Sequence, residues 1–222
     1  SLQKLGYDCT VLPNPRSEYG PFLIARRVED PSKPTVLTYG HGDVIRGQEE
    51  QWRSGLSPWK IVIEGEKMYG RGTADNKGQH TLSLDALELT LAARQGRLGY
   101  NVTVLMEMGE EAGSPGLHDF CTAQRDLLRA DVLLASDGPR VAAQLPTLFL
   151  GSRGLVNFKL TVQSRSRGFH SGNWGGVLTN PAVVLSHALA CLVDFKGQLS
   201  VPGLRPPPIP PEIRRALANV PV

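Results

Sequence analysis

The sequence predicts an α/β chain: a mostly parallel layered sheet with helices over the first two thirds, joined to a smaller α+β domain. Three observations carry this. Short β-rich runs that stop near glycine alternate with helical stretches as far as Ala135. From Val156 onward apolar and polar residues alternate singly instead. The chain of 222 residues also holds 24 glycines and 17 prolines, enough for many tight loops. The expected domains are residues 1–151 and 152–222.

Taken in order, Ser1 to Gly6 reads as the end of a helix before a strand at Asp8 to Leu12. Thr35 to Tyr39 is a β-rich run halted by Gly40. In Gln79 to Arg94, Leu84, Leu87 and Leu91 recur at helical spacing, and Gly96 suits a C-terminal stop. Asn101 to Met106 is a second buried strand, followed by Gly109. Pro115 to Leu128 reads as a helix with proline in its first turn. Asp131 to Ala135 is a third buried strand, stopping at Asp137-Gly138. Val156, Phe158, Leu160 and Val162 then mark a strand with one wet face. A Gly/Ser-rich loop leads to Asn180-Pro181, which opens a helix with Val184, Leu185, Ala188, Leu189 and Leu192 as its apolar stripe. The proline-dense tail from Val201 should be extended, with Glu212 to Ala218 helical.

Composition removes several function classes. The net charge of +3 is mild and scattered, unlike the basic face of a nucleic-acid binder. No apolar stretch approaches the roughly 20 residues that span a bilayer, so no membrane partner is expected. Ser1 to Thr10 carries no apolar signal-peptide segment. Cys9, Cys121 and Cys191 are far apart, without C-x-x-C spacing. They are expected to be buried, reduced thiols of a cytoplasmic protein.

The chemistry gathers after the strands, where ligands of open α/β sheets bind. The first strand runs into His41-Gly42-Asp43, the second into Glu110-Glu111, the third into Ser136-Asp137-Gly138. Asp75 sits in a glycine-rich stretch just before the first long helix. Each piece alone has a plain reading as a turn or a solvated pair. Together they bring one imidazole and several carboxylates to one sheet edge. Such acids repel, and a divalent cation offsets that cost. Mixed histidine and carboxylate ligands suit Zn²⁺, with Mn²⁺ or Co²⁺ also able to fit. A bridging carboxylate supports a two-metal site. The glycine-rich stretch lacks Walker spacing, and no dinucleotide fingerprint follows a strand.

The runs Gly40-His41-Gly42-Asp43-Val44, Tyr69 to Gly78, Glu110 to Gly116, Ser136-Asp137-Gly138 and Phe169-His170-Ser171-Gly172 resemble the dizinc metallopeptidase family of carnosinase, aminoacylase, acetylornithine deacetylase and glutamate carboxypeptidase. Its dipeptidase branch is the nearest likeness. The resemblance implies a zinc-exopeptidase-like catalytic domain with a lid and dimerisation domain, hence a homodimer. It implies that His41 and Asp137 bind one Zn²⁺, Glu111 the other, and that Asp75 bridges them. Glu110 would be the general base that deprotonates the attacking water and protonates the leaving amine. Asp43 would hold His41 from behind. His170, from a partner subunit, would stabilise the oxyanion, with Asn173 assisting. The implied reaction cleaves an amide of a small peptide or N-acyl amino acid. His80, His118 and His187, on expected helices, are assigned packing or surface roles.

One element of the family pattern is missing. A further zinc-binding histidine late in the chain has no counterpart, because none of the five histidines follows His187. The expectation is therefore a fragment that begins inside the catalytic domain, binds metal weakly and is close to inactive. The alternative is a metal-free binding or assembly module on the same scaffold.

Overall fold

The computed structural model describes residues 2–138, 140, 142, 144–149, 151–152, 154–218 and 220. Two units form, Ser1–Pro139 and Arg140–Val222. The boundary expected at 151/152 falls within the second.

In the first unit the strands are β1 (Asp8–Leu12), β2 (Phe22–Arg27), β3 (Thr35–His41), β4 (Val62–Glu64), β5 (Lys67–Tyr69), β6 (Asn101–Glu107) and β7 (Val132–Ala135). Five of them make one sheet in the order β1-β2-β6-β3-β7, and β4 and β5 make a separate hairpin. The β2 strand pairs antiparallel with β1 and β6, whereas β3 pairs parallel with β6 and β7. Four strands of the sheet therefore point one way and β2 alone runs against them. This is the mostly parallel sheet expected. Its consequence for function is that β3, β6 and β7 all end on the same edge, with His41 opposite Glu107 in the register.

The sheet is held from both faces. On β6, Val102 and Val104 join Leu2, Tyr7, Ala25, Leu91 and Leu98 in one cluster. The next residue, Leu105, joins Phe22, Ile24 and Phe120 in another. That alternation is the period of two that sends successive side chains to opposite faces. The first cluster packs against α1 (Lys77–Ala93) through Leu84 and Leu87. The second packs against α2 (Leu117–Ala123), where Phe120 stacks on Phe22 with ring centroids 4.0 Å apart. Each fully buried Leu or Phe contributes about 1.5–3 kcal/mol.

Several expectations need correction. The helix expected over Pro115 to Leu128 is split into α2 and α3 (Arg125–Leu128), and Pro115 lies ahead of it. Gly116 precedes the first turn at φ +84°, where a Cβ would lie 2.2 Å from the Asn14 side-chain oxygen. Asn14 in turn donates to the Pro115 carbonyl, so this junction is set by a tertiary contact. The β7 strand, expected buried, is exposed along its whole length; it lies at the edge of the sheet, paired with β3 alone among the described residues. Cys9 and Cys121 are half-buried, but Cys191 is exposed; all three are free. The β2 strand and the β4–β5 hairpin were not foreseen.

The second unit contains α4 (Ser171–Trp174), α5 (Pro181–Leu192) and α6 (Pro211–Leu217). The start of α5 is as the sequence predicts: the Asn180 side chain accepts from the Ala182 N–H at 2.9 Å, with proline in the first turn. The strand expected at Val156 to Val162 does not form. Among the described residues of this unit no strand lies beside it, and a lone strand leaves its backbone groups without partners. No helix among the described residues is long and apolar enough to cross a membrane.

Candidate metal centre

Parallel pairing delivers His41 to the end of β3 with no exposed surface. Its Nδ1 lies 3.2 Å from the Asp43 carbonyl and 3.3 Å from the Asp43 carboxylate. Both neighbours are acceptors, so Nδ1 carries the proton and Nε2 turns to the sheet edge. There Nε2 meets Asp75 Oδ1 at 3.0 Å, Glu110 Oε2 at 3.8 Å and Asp137 Oδ2 at 3.9 Å. Four separate segments supply these groups: the end of β3, the loop before α1, the turn after β6 and the loop after β7.

Charge explains the titration of the cluster. Burial pulls the His41 imidazolium down, but the Asp75 hydrogen bond and the charges of Asp43, Asp137 and Glu110 outweigh it, and its pKa is raised. Glu110 is also raised: burial acts first, His41 opposes, and Asp137, Glu111 and Glu107 add repulsion. Three carboxylates around one imidazole nitrogen call for positive charge among them. Ligand atoms of His41, Asp75 and Asp137 all lie within 4.8 Å of one another. One imidazole and two carboxylates at that spacing fit a divalent ion such as Zn²⁺.

The structure thus brings together His41, Asp75, Asp137 and Glu110. Asp43 is behind them, and it does more than hold the imidazole. Its two carboxylate oxygens accept the Glu110 N–H at 3.2 Å and the Glu111 N–H at 3.1 Å, fixing the short 3-10 turn Glu110–Ala112. The Glu111 side chain is exposed and is not a member of the three-residue cluster. His170 belongs to the second unit, where its Nδ1 accepts the Gly172 N–H at 3.1 Å, leaving Nε2 as the protonated, exposed nitrogen. Asn173 is exposed beside it. His118 and His187 are exposed. His80 is half-buried in α1 and packs against Gly40.

Two residues near the site were missed. Asn76 is fully buried next to Asp75. Glu107, 1 % exposed, accepts from the Tyr39 hydroxyl at 2.5 Å and the Ser114 hydroxyl at 2.9 Å. Burial first, and then the hydrogen bond to Glu107 and its charge, raise the Tyr39 pKa, with Ser114 opposing. The available signal for Glu107 was an acid directly after the β-rich run Asn101 to Met106; Asn76 gave none beyond its place beside Asp75.

Comparison with known proteins matches residues 37–218 to the profile of Peptidase family M20/M25/M40. The chain is 36% identical over 200 residues to the Beta-Ala-His dipeptidase of Rattus norvegicus, covering 89% of this chain and 39% of that one. It is 31% identical over 205 residues to the Cys-Gly metallodipeptidase DUG1 of Saccharomyces cerevisiae, covering 90% and 42%. The crystal structure of human carnosine dipeptidase 1 superposes with a TM-score of 0.68 at 26% identity, covering all of this chain and 48% of that one. The chain therefore spans less than half the length of these relatives.

Proposed function

Because the chain belongs to Peptidase family M20/M25/M40, we propose that the protein it represents is a metal-dependent hydrolase cleaving an amide bond of a small peptide or N-acyl amino acid. The observation that carries this reading is the buried imidazole of His41 facing three carboxylates from separate segments. The names of the relatives favour a dipeptide as substrate.

In this reading His41 and Asp137 would hold one Zn²⁺ and Glu111 a second, with Asp75 serving both. When bound, such ions polarise a scissile carbonyl and acidify water. The chain's own residues do the rest. Asp43 keeps the proton on Nδ1 of His41, so that Nε2 offers a lone pair. Glu110, whose carboxylate lies 3.8 Å from His41 Nε2, is the base that takes a proton from water and the acid that returns it to the leaving amine. Held by Asp43 through adjacent backbone N–H groups, Glu110 and Glu111 can take different tasks. His170, protonated at Nε2, is the oxyanion donor, brought by a partner subunit of a homodimer through the second unit, with Asn173 beside it.

For the second ion this chain offers Asp75 and Glu111 but no histidine beyond His187. The 222-residue chain should take up Zn²⁺ weakly, chiefly at His41, and turn over little dipeptide. Calorimetric titration with ZnCl₂, beside a His41→Ala variant, tests the reading. Uptake that the substitution abolishes supports it. No uptake by the unaltered chain, or uptake indifferent to His41, favours the metal-free binding module instead.

A further inference from the structure

We infer that Asn76 and Gln79 form an amide clamp that sets the spacing of the metal ligands, so that Asn76 is a positioning residue of the site. The inference rests on the metal reading of His41, Asp75 and Asp137 and adds how they are held together. Asn76 has no exposed surface. Its side-chain oxygen accepts the backbone N–H of His41 at 3.1 Å. Its Nδ2 donates to the Ser136 carbonyl at 2.6 Å and to Gln79 Oε1 at 2.5 Å. Gln79 then donates from Nε2 to the Gly138 carbonyl at 3.0 Å.

The consequence is geometric. The two amides grip the carbonyls on either side of Asp137, while Asn76 also fixes the backbone of His41 and is bonded covalently to Asp75. All three members of the cluster thus hang from one pair of side chains at the start of α1. Only a carboxamide does this, since it accepts at one atom and donates twice at the other. With its oxygen committed to the His41 N–H, Nδ2 must face the two acceptors, and that settles the Gln79 amide orientation too. The ladder between β3 and β7 ends at Tyr39 and Ala135, and past it the segments are otherwise tied by the His41–Asp75 contact, by Lys77 donating to the Gly42 carbonyl and by the Ser83 and Ser136 hydroxyls. Beyond that last rung the clamp replaces the missing pairing. Ligands held by ordered outer partners bind metal tighter, typically by 10–100-fold.

The test is zinc titration and Co²⁺ absorption of the 222-residue chain and three variants. Asn76→Leu keeps the size and removes every polar atom of the side chain; Gln79→Met removes the grip on Gly138 and one of the two acceptors of Asn76 Nδ2, leaving the bonds of Asn76 to His41 and Ser136. Asn101→Ala is the control for general destabilisation. The Asn101 side chain is buried and bonded to Glu29, Asp30 and Lys33 at the opposite end of β6. The expected result is affinity about 10–100-fold weaker in Asn76→Leu, a smaller loss in Gln79→Met, altered Co²⁺ bands in both, and unaltered affinity in Asn101→Ala despite a lower melting temperature. Should Asn76→Leu not fold, Gln79→Met carries the test by itself. Zinc affinity and Co²⁺ bands unchanged in the clamp variants overturn the clamp and leave the metal reading standing. Failure of the unaltered chain to bind zinc overturns both.

Discussion

Gly40→Ala is the most direct probe of how the strand end is packed. A Cβ placed on Gly40 would lie 1.4 Å from His80 Cε1, 1.9 Å from His80 Nε2 and 2.6 Å from the Asn76 side-chain oxygen. Real Cβ contacts are 3.4 Å or longer as a rule, so the imidazole must retreat by about 2 Å. It belongs to α1, the helix that also carries Leu84, Leu87 and Leu91 against the sheet, and it cannot move that far without displacing the helix or leaving its rotamer. Overpacking of this kind costs about 1–3 kcal/mol, and the accompanying shift of Asn76 places the substitution near the top of that range. Urea denaturation followed by tryptophan fluorescence should show a lower midpoint at unchanged slope. His80→Ala in the same chain removes the ring that the methyl strikes. The double variant should therefore regain about half of the loss, a coupling of roughly 1 kcal/mol or more between positions in contact. If Gly40→Ala is as stable as the unaltered chain, or if the two substitutions simply add, the close approach of His80 to β3 is wrong.

Two further outcomes follow from the same geometry. Asp43→Ala removes the carboxylate shared by His41 Nδ1 and two backbone N–H groups, leaving Nδ1 only the Asp43 carbonyl. Zinc titration should show affinity about 10–100-fold weaker, and an unchanged titration would remove Asp43 from the site. Glu29 accepts the Leu98 and Gly99 N–H groups and pairs with Arg27, and these bonds, the Leu98 one first, lower its pKa. A carboxylate lowered on folding stabilises the fold above its unfolded pKa, and that contribution is lost as pH falls through the folded value. Glu29→Gln should thus cost about 1 kcal/mol at pH 7 and much less near pH 3, read from urea midpoints at both values; an equal loss at both would contradict the linkage.

Much of the site was legible in the sequence because its ligands stand at element ends. The strand ending at His41, the acids after β6 and Asp137 after β7 each follow a β-rich run, and a parallel sheet sends such ends to one edge. The start of α5 was equally legible, since Asn180 and Pro181 act on their own neighbours in the chain. The strand at Val156 to Val162 shows the limit: alternation describes a strand's faces but does not provide the partner that its backbone needs.

What the sequence by itself determined is the local chemistry: which residues can ligate, which runs favour strand or helix, where α5 begins. These depend on residues within a few positions of each other. Only the tertiary structure decided that β2 runs against its neighbours, that α2 starts where Asn14 meets Gly116, and that β7 lies exposed at an edge. It also decided that Asn76, silent in the sequence, joins His41 to Ser136. Those outcomes turn on contacts between segments tens of residues apart, where close packing and the need to satisfy every buried polar atom choose among local options that are nearly equal in energy.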